Sequence, residues 1–322
     1  MTTTSTTTPT TTPTTTWTTW RRILRLARLG TLVLVLGVVA LALPDASPKS
    51  DEMALVKVQQ GEAAPLDPHV ISILAVGSDA RPGENFTHTR GDALQLVTIN
   101  TETHAASIIG VPRDSWVDIP GHGMEKINAS LYFGGPQLLG QTVGNLIGVQ
   151  PKYVFVTKFP YFIAMVRWLG GVDVRNPYFF SDDPLKRKGF KAGRIHLNGY
   201  DAMAYSRIRH TLPRGDFDRS AHQEIVLKAI QAKVHANAGN PGFIERGVLD
   251  AMSHMYTNLP PGELFRLAQV MAQVDPHKVR SCVVQGGIGT SSYGASIVLP
   301  YVSQARDMGN QIRHDATLEH CG

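Results

Sequence analysis

Two cysteines in 322 residues exclude a disulfide-stapled scaffold and a cysteine-rich zinc module. Cys282 and Cys321 leave room for one bridge. It would close a loop of about 40 residues and stabilise by roughly 4 kcal/mol in the chain-entropy view. The plain alternative is a buried thiol at Cys282 and a free one near the flexible end. Charge is also scarce, at 18% of residues with a formal net charge of +5. The body holds no basic run and no recognition-helix pattern, so nucleic acid is excluded as a partner. What is present is apolar: 43% of residues are hydrophobic, enough for one large domain or two small ones.

The opening stretch, "MTTTSTTTPTTTPTTTWTTW", is nearly all threonine with two prolines. It cannot bury a core and reads as a disordered cytoplasmic tail over residues 1–20. Residues 21–44 follow with four arginines in "RRILRLARLG" and the apolar run "TLVLVLGVVALALP". From Ile23 to Leu43 this reaches the length of about 20 residues that a span needs, with Arg25 and Arg28 snorkelling to the inner interface. Arginines precede the apolar run and none follow closely, so the body lies outside the cytoplasmic membrane. A cleaved signal peptide with Ala40–Ala42 as its A-x-A site is the alternative, and it exports the body equally. Residues 45–66 read as a linker, 67–235 as the main domain, and 236–322 as helices and a strand completing it.

In the body, "HVISILAVGSDAR", "DALQLVTIN" and "AASIIGVPRD" read as three strands. A turn as short as "TETH" makes the second and third antiparallel. If the first runs up, the second runs down and the third up. Asp79, Asp92 and Arg113 then gather at one edge of one sheet. Two carboxylates beside a guanidinium can hold a hard divalent cation next to a phosphate; ordinary polarity at strand ends explains them as well. Helices and strands alternate afterwards, which argues for an α/β layered domain. Phe155, Phe159, Tyr161, Phe162, Met165 and Trp168 read as core, with a lipid cavity as the lesser alternative.

"SRIRHTLPRGDFDRSAHQ", residues 206–223, concentrates four arginines and no lysine. Guanidinium forks match pairs of phosphate oxygens, whereas lysine offers a hydrated point charge. Asn198 is the expected cap of a preceding helix. For Arg207 and Arg209 to hold one ligand, that helix must end near Tyr205. A second helix opens at a cap on Asp216 or Asp218 and places Asp216, Arg219 and Gln223 on one face. A solvated face with local Asp–Arg pairs accounts for Asp216 and Arg219, but poorly for Arg207, Arg209 and Arg214.

Seven pieces in order now carry a resemblance: "ILAVGSDAR", "RGDALQLVTIN", "SIIGVPRDSWVDIPG", "EKINASLYFGG", "GGVDV", "HLNGYDAMAYSRIRH" and "GDFDRSAHQ". Together they resemble the LytR-CpsA-Psr family of bacterial cell-wall proteins, from about Val70 to Ala232. The resemblance implies an α/β fold with a mixed central β-sheet sandwiched between helical layers and a channel for an isoprenoid tail. It implies a phosphotransferase. The polyprenyl-pyrophosphate-linked glycopolymer is the donor, and a peptidoglycan sugar hydroxyl the acceptor. It further implies Mg²⁺ at Asp79 and Asp92. The pyrophosphate would be held by Arg90, Arg113, Arg207, Arg209 and Arg219, with Arg81 a further candidate, and Asp216 and Gln223 fill the remaining polar positions. The base would be Asp92 or Asp216. Gly110 stands where the family often has serine, a departure expected to matter little. The late cysteine pair is similar to that of members from actinobacteria-like walls, which implies arabinogalactan, with teichoic-acid-like polymers the broader alternative. Hydrolysis of the same lipid-linked substrate, and non-catalytic binding of it, are the competing readings.

Overall fold

The computed structural model describes residues 52–321. The tail, the anchor and its alternative cleavage site lie outside the described residues. In chain order the strands and helices begin with Met53–Lys57 (β1), Val70–Ser78 (β2), Gly91–Asn100 (β3) and Ala106–Gly110 (β4). The hairpin Trp116–Ile119 (β5) and Gly123–Lys126 (β6) precedes Ala129–Ile147 (α1), Tyr153–Lys158 (β7) and Phe159–Trp168 (α2). Next come Val172–Asn176 (β8), Phe180–Asp182 (β9), Asp183–Lys186 (α3), Arg187–Phe190 (β10) and Gly193–Leu197 (β11). Gly199–Arg207 (α4), Asp216–Asn237 (α5), Phe243–Met252 (α6), Met255–Thr257 (β12) and Pro261–Gln273 (α7) follow. The last are Val279–Val283 (β13), Gly286–Thr290 (β14), Ser296–Pro300 (β15) and Val302–Asp315 (α8).

Seven strands form one mixed sheet in the order β12-β1-β7-β2-β3-β4-β13. β2, β3 and β4 pair antiparallel in succession, β3 and β4 across a short turn and β2 and β3 across a longer hairpin-like loop. Period-2 alternation divides the faces. Leu74 and Val76 on β2, with Leu94 and Leu96 on β3, pack against Leu139, Val143 and Ile147 of α1 and Met308 and Ile312 of α8. Ile71 and Ile73 face the other way, onto Val248, Leu264 and Leu267 from α6 and α7. Truncating a fully buried leucine such as Leu74 or Leu94 would cost about 2–5 kcal/mol.

A separate core joins α2, α4 and α5 to β8 and β11 through Val166, Val174, Leu197, Tyr205, Ile208 and Val226. Within it His222 stacks on Phe180, with ring centroids 4.6 Å apart, and burial pushes its imidazole down to about 4. Tyr161 is buried, and Phe162, Met165 and Phe155 pack against these cores. Trp168 is half exposed and stacks on Phe243 at 4.9 Å.

Several expectations need correction. Residues 45–66 are not linker throughout. β1 lies inside the sheet, between β12 and β7. Its five residues are too few to show a pattern, and its cover, β12, lies some 200 positions away, with Thr257 Oγ1 donating to the Leu55 carbonyl. The C-terminal part supplies four strands rather than one, and two of them are the edges of the central sheet. α1 begins at Ala129 and breaks at Gly134 and Gly135, just before Pro136. β8, expected as one of the alternating strands of the layered domain, instead pairs with β11 alone.

Candidate functional site

The site is assembled where β2, β3 and β4 end. Asp79 follows β2 directly, Asp92 is the second residue of β3, and Arg113 lies three beyond β4. Arg113 Nη1 donates to Asp92 Oδ1 in a close ion pair, and Asp92 is 9% exposed. Arg207 Nη2 donates to Asp79 Oδ1 at 3.1 Å and lies 3.8 Å from Asp92 Oδ2. Its guanidinium stacks 4.2 Å above the Phe159 ring, which fixes the plane of the fork. Burial pushes the Asp79 carboxyl up from its ordinary value, and the neighbouring Asp92 charge adds to this. Arg207, Arg113 and Arg81 oppose the rise, which places Arg81 within electrostatic reach.

α4 delivers Arg207. Asn198 caps it, accepting from the Asp201 amide, and the helix stops when Ile208 turns extended. It therefore ends at Arg207, two residues later than expected. Arg207 and Arg209 then serve different carboxylates. Arg209 Nη1 lies 3.3 Å from Asp114 Oδ2, and Lys126 Nζ lies 3.1 Å from Asp114 Oδ1. Arg90, Arg113, Asp114, Lys126, Asn128 and Arg209 line a cavity of about 230 Å³.

α5 closes the site from behind. Asp216 and Arg219 form a buried ion pair one turn apart. Burial pushes the Arg219 guanidinium below its usual value, Asp216 opposes the fall without cancelling it, and the charges of Arg113, Asp92 and Arg209 also reach it. The expected cap on Asp216 or Asp218 is absent: Gly215 takes that position. The two carboxylates turn to arginines instead, Asp218 accepting from the Arg214 amide and Nε. A charged partner outcompetes the cap. Gln223 does not face the cavity. Its Nε2 donates to the Ser206 carbonyl at 3.1 Å and the Asp92 carbonyl at 3.4 Å, and its Oε1 accepts from Gln95 Nε2 at 3.0 Å. It ties β3 to the end of α4.

Six cations (Arg90, Arg113, Lys126, Arg207, Arg209, Arg219) thus stand among four carboxylates (Asp79, Asp92, Asp114, Asp216). The surplus suits a ligand with two negative charges. Asp114, Lys126, Asn128 and Gln95 were not singled out from sequence. Asp114 had a signal, since it follows Arg113 at the same strand end. The other three look like ordinary surface or strand residues until the chain folds. Among the described residues, no group of three or more His, Cys, Asp or Glu could enclose a metal. Asp79 and Asp92 alone give two hard oxygen donors whose mutual repulsion a cation would relieve. That donor set fits Mg²⁺, which keeps water and phosphate oxygens as its remaining ligands.

A mixed sheet with a cationic cleft at its strand ends defines an α/β protein with an anion-binding site. The LytR_cpsA_psr family model matches residues 45–313, and the chain belongs to that family. It is 38% identical over 160 residues to the polyisoprenyl-teichoic acid–peptidoglycan teichoic acid transferase TagU of Bacillus subtilis (strain 168), covering 49% of this chain and 50% of that protein. The chain thus spans about half the length of that curated relative. The crystal structure of B. subtilis TagV is similar at a TM-score of 0.61 and 25% identity, over 76% of this chain and 98% of that one. YwtF (TagT), a LytR-CPS2A-psr family protein with bound octaprenyl pyrophosphate lipid, shares the fold. Its TM-score is 0.59 at 23% identity, over 80% of this chain and 98% of that one.

Proposed function

We propose that this chain moves a glycopolymer from a polyprenyl-pyrophosphate carrier onto a peptidoglycan sugar hydroxyl, leaving a phosphodiester. The observation that carries the reading is the surplus of guanidinium groups at one sheet edge, with Arg113 and Arg207 on opposite oxygens of Asp92. A diphosphate must be neutralised before an alcohol can approach its phosphorus, and preformed donors do this without reorganising. The acceptor oxygen forms a bond to phosphorus, the bond to the polyprenyl phosphate breaks, and the hydroxyl proton goes to a carboxylate. Asp92 or Asp216 is that carboxylate: both Asp92 oxygens face guanidinium groups, and Asp216 Oδ2 has no hydrogen-bond partner but is buried behind the cavity lining. Asp79 and Asp92 would hold Mg²⁺, which when bound supplies further positive charge to the diphosphate oxygens.

The name of the B. subtilis relative supports a teichoic-acid-like donor, and the late cysteine pair favours arabinogalactan; supplying each purified donor in turn decides between them. The body works outside the cytoplasmic membrane, held by residues 21–44 beside its lipid substrate. Arg113→Ala, Arg207→Ala and Arg209→Ala should each lower transfer by a factor of 10² or more, about 3 kcal/mol of barrier, with melting curves retained. Undiminished transfer by all three would remove the reading. Free polymer without a peptidoglycan adduct would replace transfer by hydrolysis. Binding of the lipid-linked donor with no turnover in Mg²⁺ would leave a binder.

A further inference from the structure

Asn128 is the first oddity. It occupies the N-cap position of α1, where asparagine ordinarily accepts a helix amide. It makes no such bond. The residue lines the cationic cavity and is 3% exposed, and its Oδ1 is buried with no hydrogen-bond partner. A buried acceptor left unmade is costly. Phosphate oxygens only accept, so a diphosphate cannot satisfy it. A hydroxyl can.

The second oddity is beside the hairpin that carries the cavity-lining Lys126. The β14–β15 hairpin is fastened to the segment before β5, with the Val298 amide donating to the Asp114 carbonyl at 2.9 Å and Ser115 bridging Val298. Its turn is held by Ser291 and Ala295 and passes through Gly294 at φ +83°. That turn carries Tyr293, 58% exposed, onto Trp116 with ring centroids 5.8 Å apart. The Tyr293 hydroxyl donates to Glu125 Oε1 at 2.6 Å. Trp116 pairs in register with Lys126, so the aromatic corner and a cavity-lining ammonium share one face of the β5–β6 hairpin. The Ile127 amide donates to the Ser115 carbonyl at 2.7 Å and the Asn128 amide to the Arg113 carbonyl at 3.3 Å, so Asn128 lies beside the same hairpin.

A pyranose ring has an apolar C–H face and a rim of hydroxyls. Rigid, half-exposed aromatics take such a face, and convergent polar groups take the rim. We propose that Trp116, Tyr293, Glu125 and Asn128 form a saccharide subsite for a pyranose of the acceptor glycan, with one sugar hydroxyl donating to Asn128 Oδ1. The acceptor side follows from the position of Asn128. A hydroxyl there lies among Arg113 and Arg209, where the phosphoryl group is held in the reading above, on which this assignment of the sugar rests.

The test is calorimetric titration of the full chain, in detergent micelles, with a lipid-free N-acetylglucosamine-containing tetrasaccharide of peptidoglycan glycan. Saturable binding is expected, weakened at least tenfold by Tyr293→Ala and by Asn128→Leu. Tyr293 is exposed, so its variant keeps the test decisive even where Asn128→Leu fails to fold. No saturable binding by the wild-type chain, or equal affinity in a folded Tyr293→Ala variant, overturns the subsite. A short-chain polyprenyl-pyrophosphoryl sugar is titrated in parallel. If only that ligand responds to Tyr293→Ala, the ring belongs to the donor and the acceptor assignment is overturned. A polyprenyl pyrophosphate without sugar separates the two readings: its failure to bind removes the transferase, while intact tetrasaccharide binding keeps the subsite.

Discussion

Gly110 shows how a single missing Cβ shapes the site. A Cβ built there would lie 2.4 Å from Ser220 Oγ and 2.8 Å from Glu224 Oε1. α5 therefore approaches β4 closely, and that approach is what brings Arg219 and Gln223 up to Asp92. The family resemblance made serine at this position look harmless; the close helix reverses that expectation. Gly110→Ser should destabilise by about 1–3 kcal/mol, read as a fall of several degrees in melting temperature. Adding Ser220→Ala removes the nearest clashing atom and should return part of the loss. An undisturbed melting temperature for Gly110→Ser would mean that α5 does not sit this close. Legibility at this scale followed chemistry. Asp79, Asp92 and Arg113 could be placed together because strand direction alternates across one hairpin-like loop and one short turn. Asn128 and Lys126 could not, since nothing local distinguishes them from a helix cap and a surface ammonium.

α5 departs furthest from its sequence pattern. An amphipathic reading gives it one buried side, formed by Phe217, Ala221, Ile225 and Val226. In its first turns Asp218, Arg219, Ser220, His222, Gln223 and Glu224 are buried as well. Helical period assigns faces only when one side meets water; here β3 and β4, the α4 core and the site enclose the helix start from several sides. Burial pushes Glu224 up to about 7, against the Ser281 hydroxyl, Lys228 and the Gly110 amide, and Lys228 in turn feels Arg280. A carboxyl raised in the folded state contributes stability that is complete below its ordinary value of 4.5 and is lost as pH rises through 7. Glu224→Gln should therefore gain on the wild-type chain between pH 4.5 and 7, by up to about 3 kcal/mol. His222, lowered to about 4, acts in the opposite sense from pH 6.5 downward. The readout is thus the difference between variant and wild-type denaturant midpoints at each pH. A difference that does not change with pH would show that Glu224 is not raised.

Across the described residues the C-terminal part closes both edges of the sheet. β13 forms one edge, and Cys282 within it is bonded to Cys321, a separation of 39 residues. Loop closure of that size corresponds to roughly 4 kcal/mol, so the double variant Cys282→Ser/Cys321→Ser should unfold at a clearly lower denaturant midpoint. An unchanged midpoint would mean that the C-terminal segment stays docked without the bond, for which the Gln304–Cys321 contact is a local candidate. Sequence alone determined the strands β2 to β4, their antiparallel order, the Asn198 cap and the gathering of Asp79, Asp92 and Arg113, because alternation, turns and side-chain type are local properties. Only the tertiary structure decided that β1 belongs to the sheet, that α5 is enclosed, that Gln223 ties β3 to the end of α4, and that Asn128 lines the cavity. Each of those depends on partners far away in the chain. Their contacts exist only after long loops have closed, and no local pattern of residues records which distant surface will arrive.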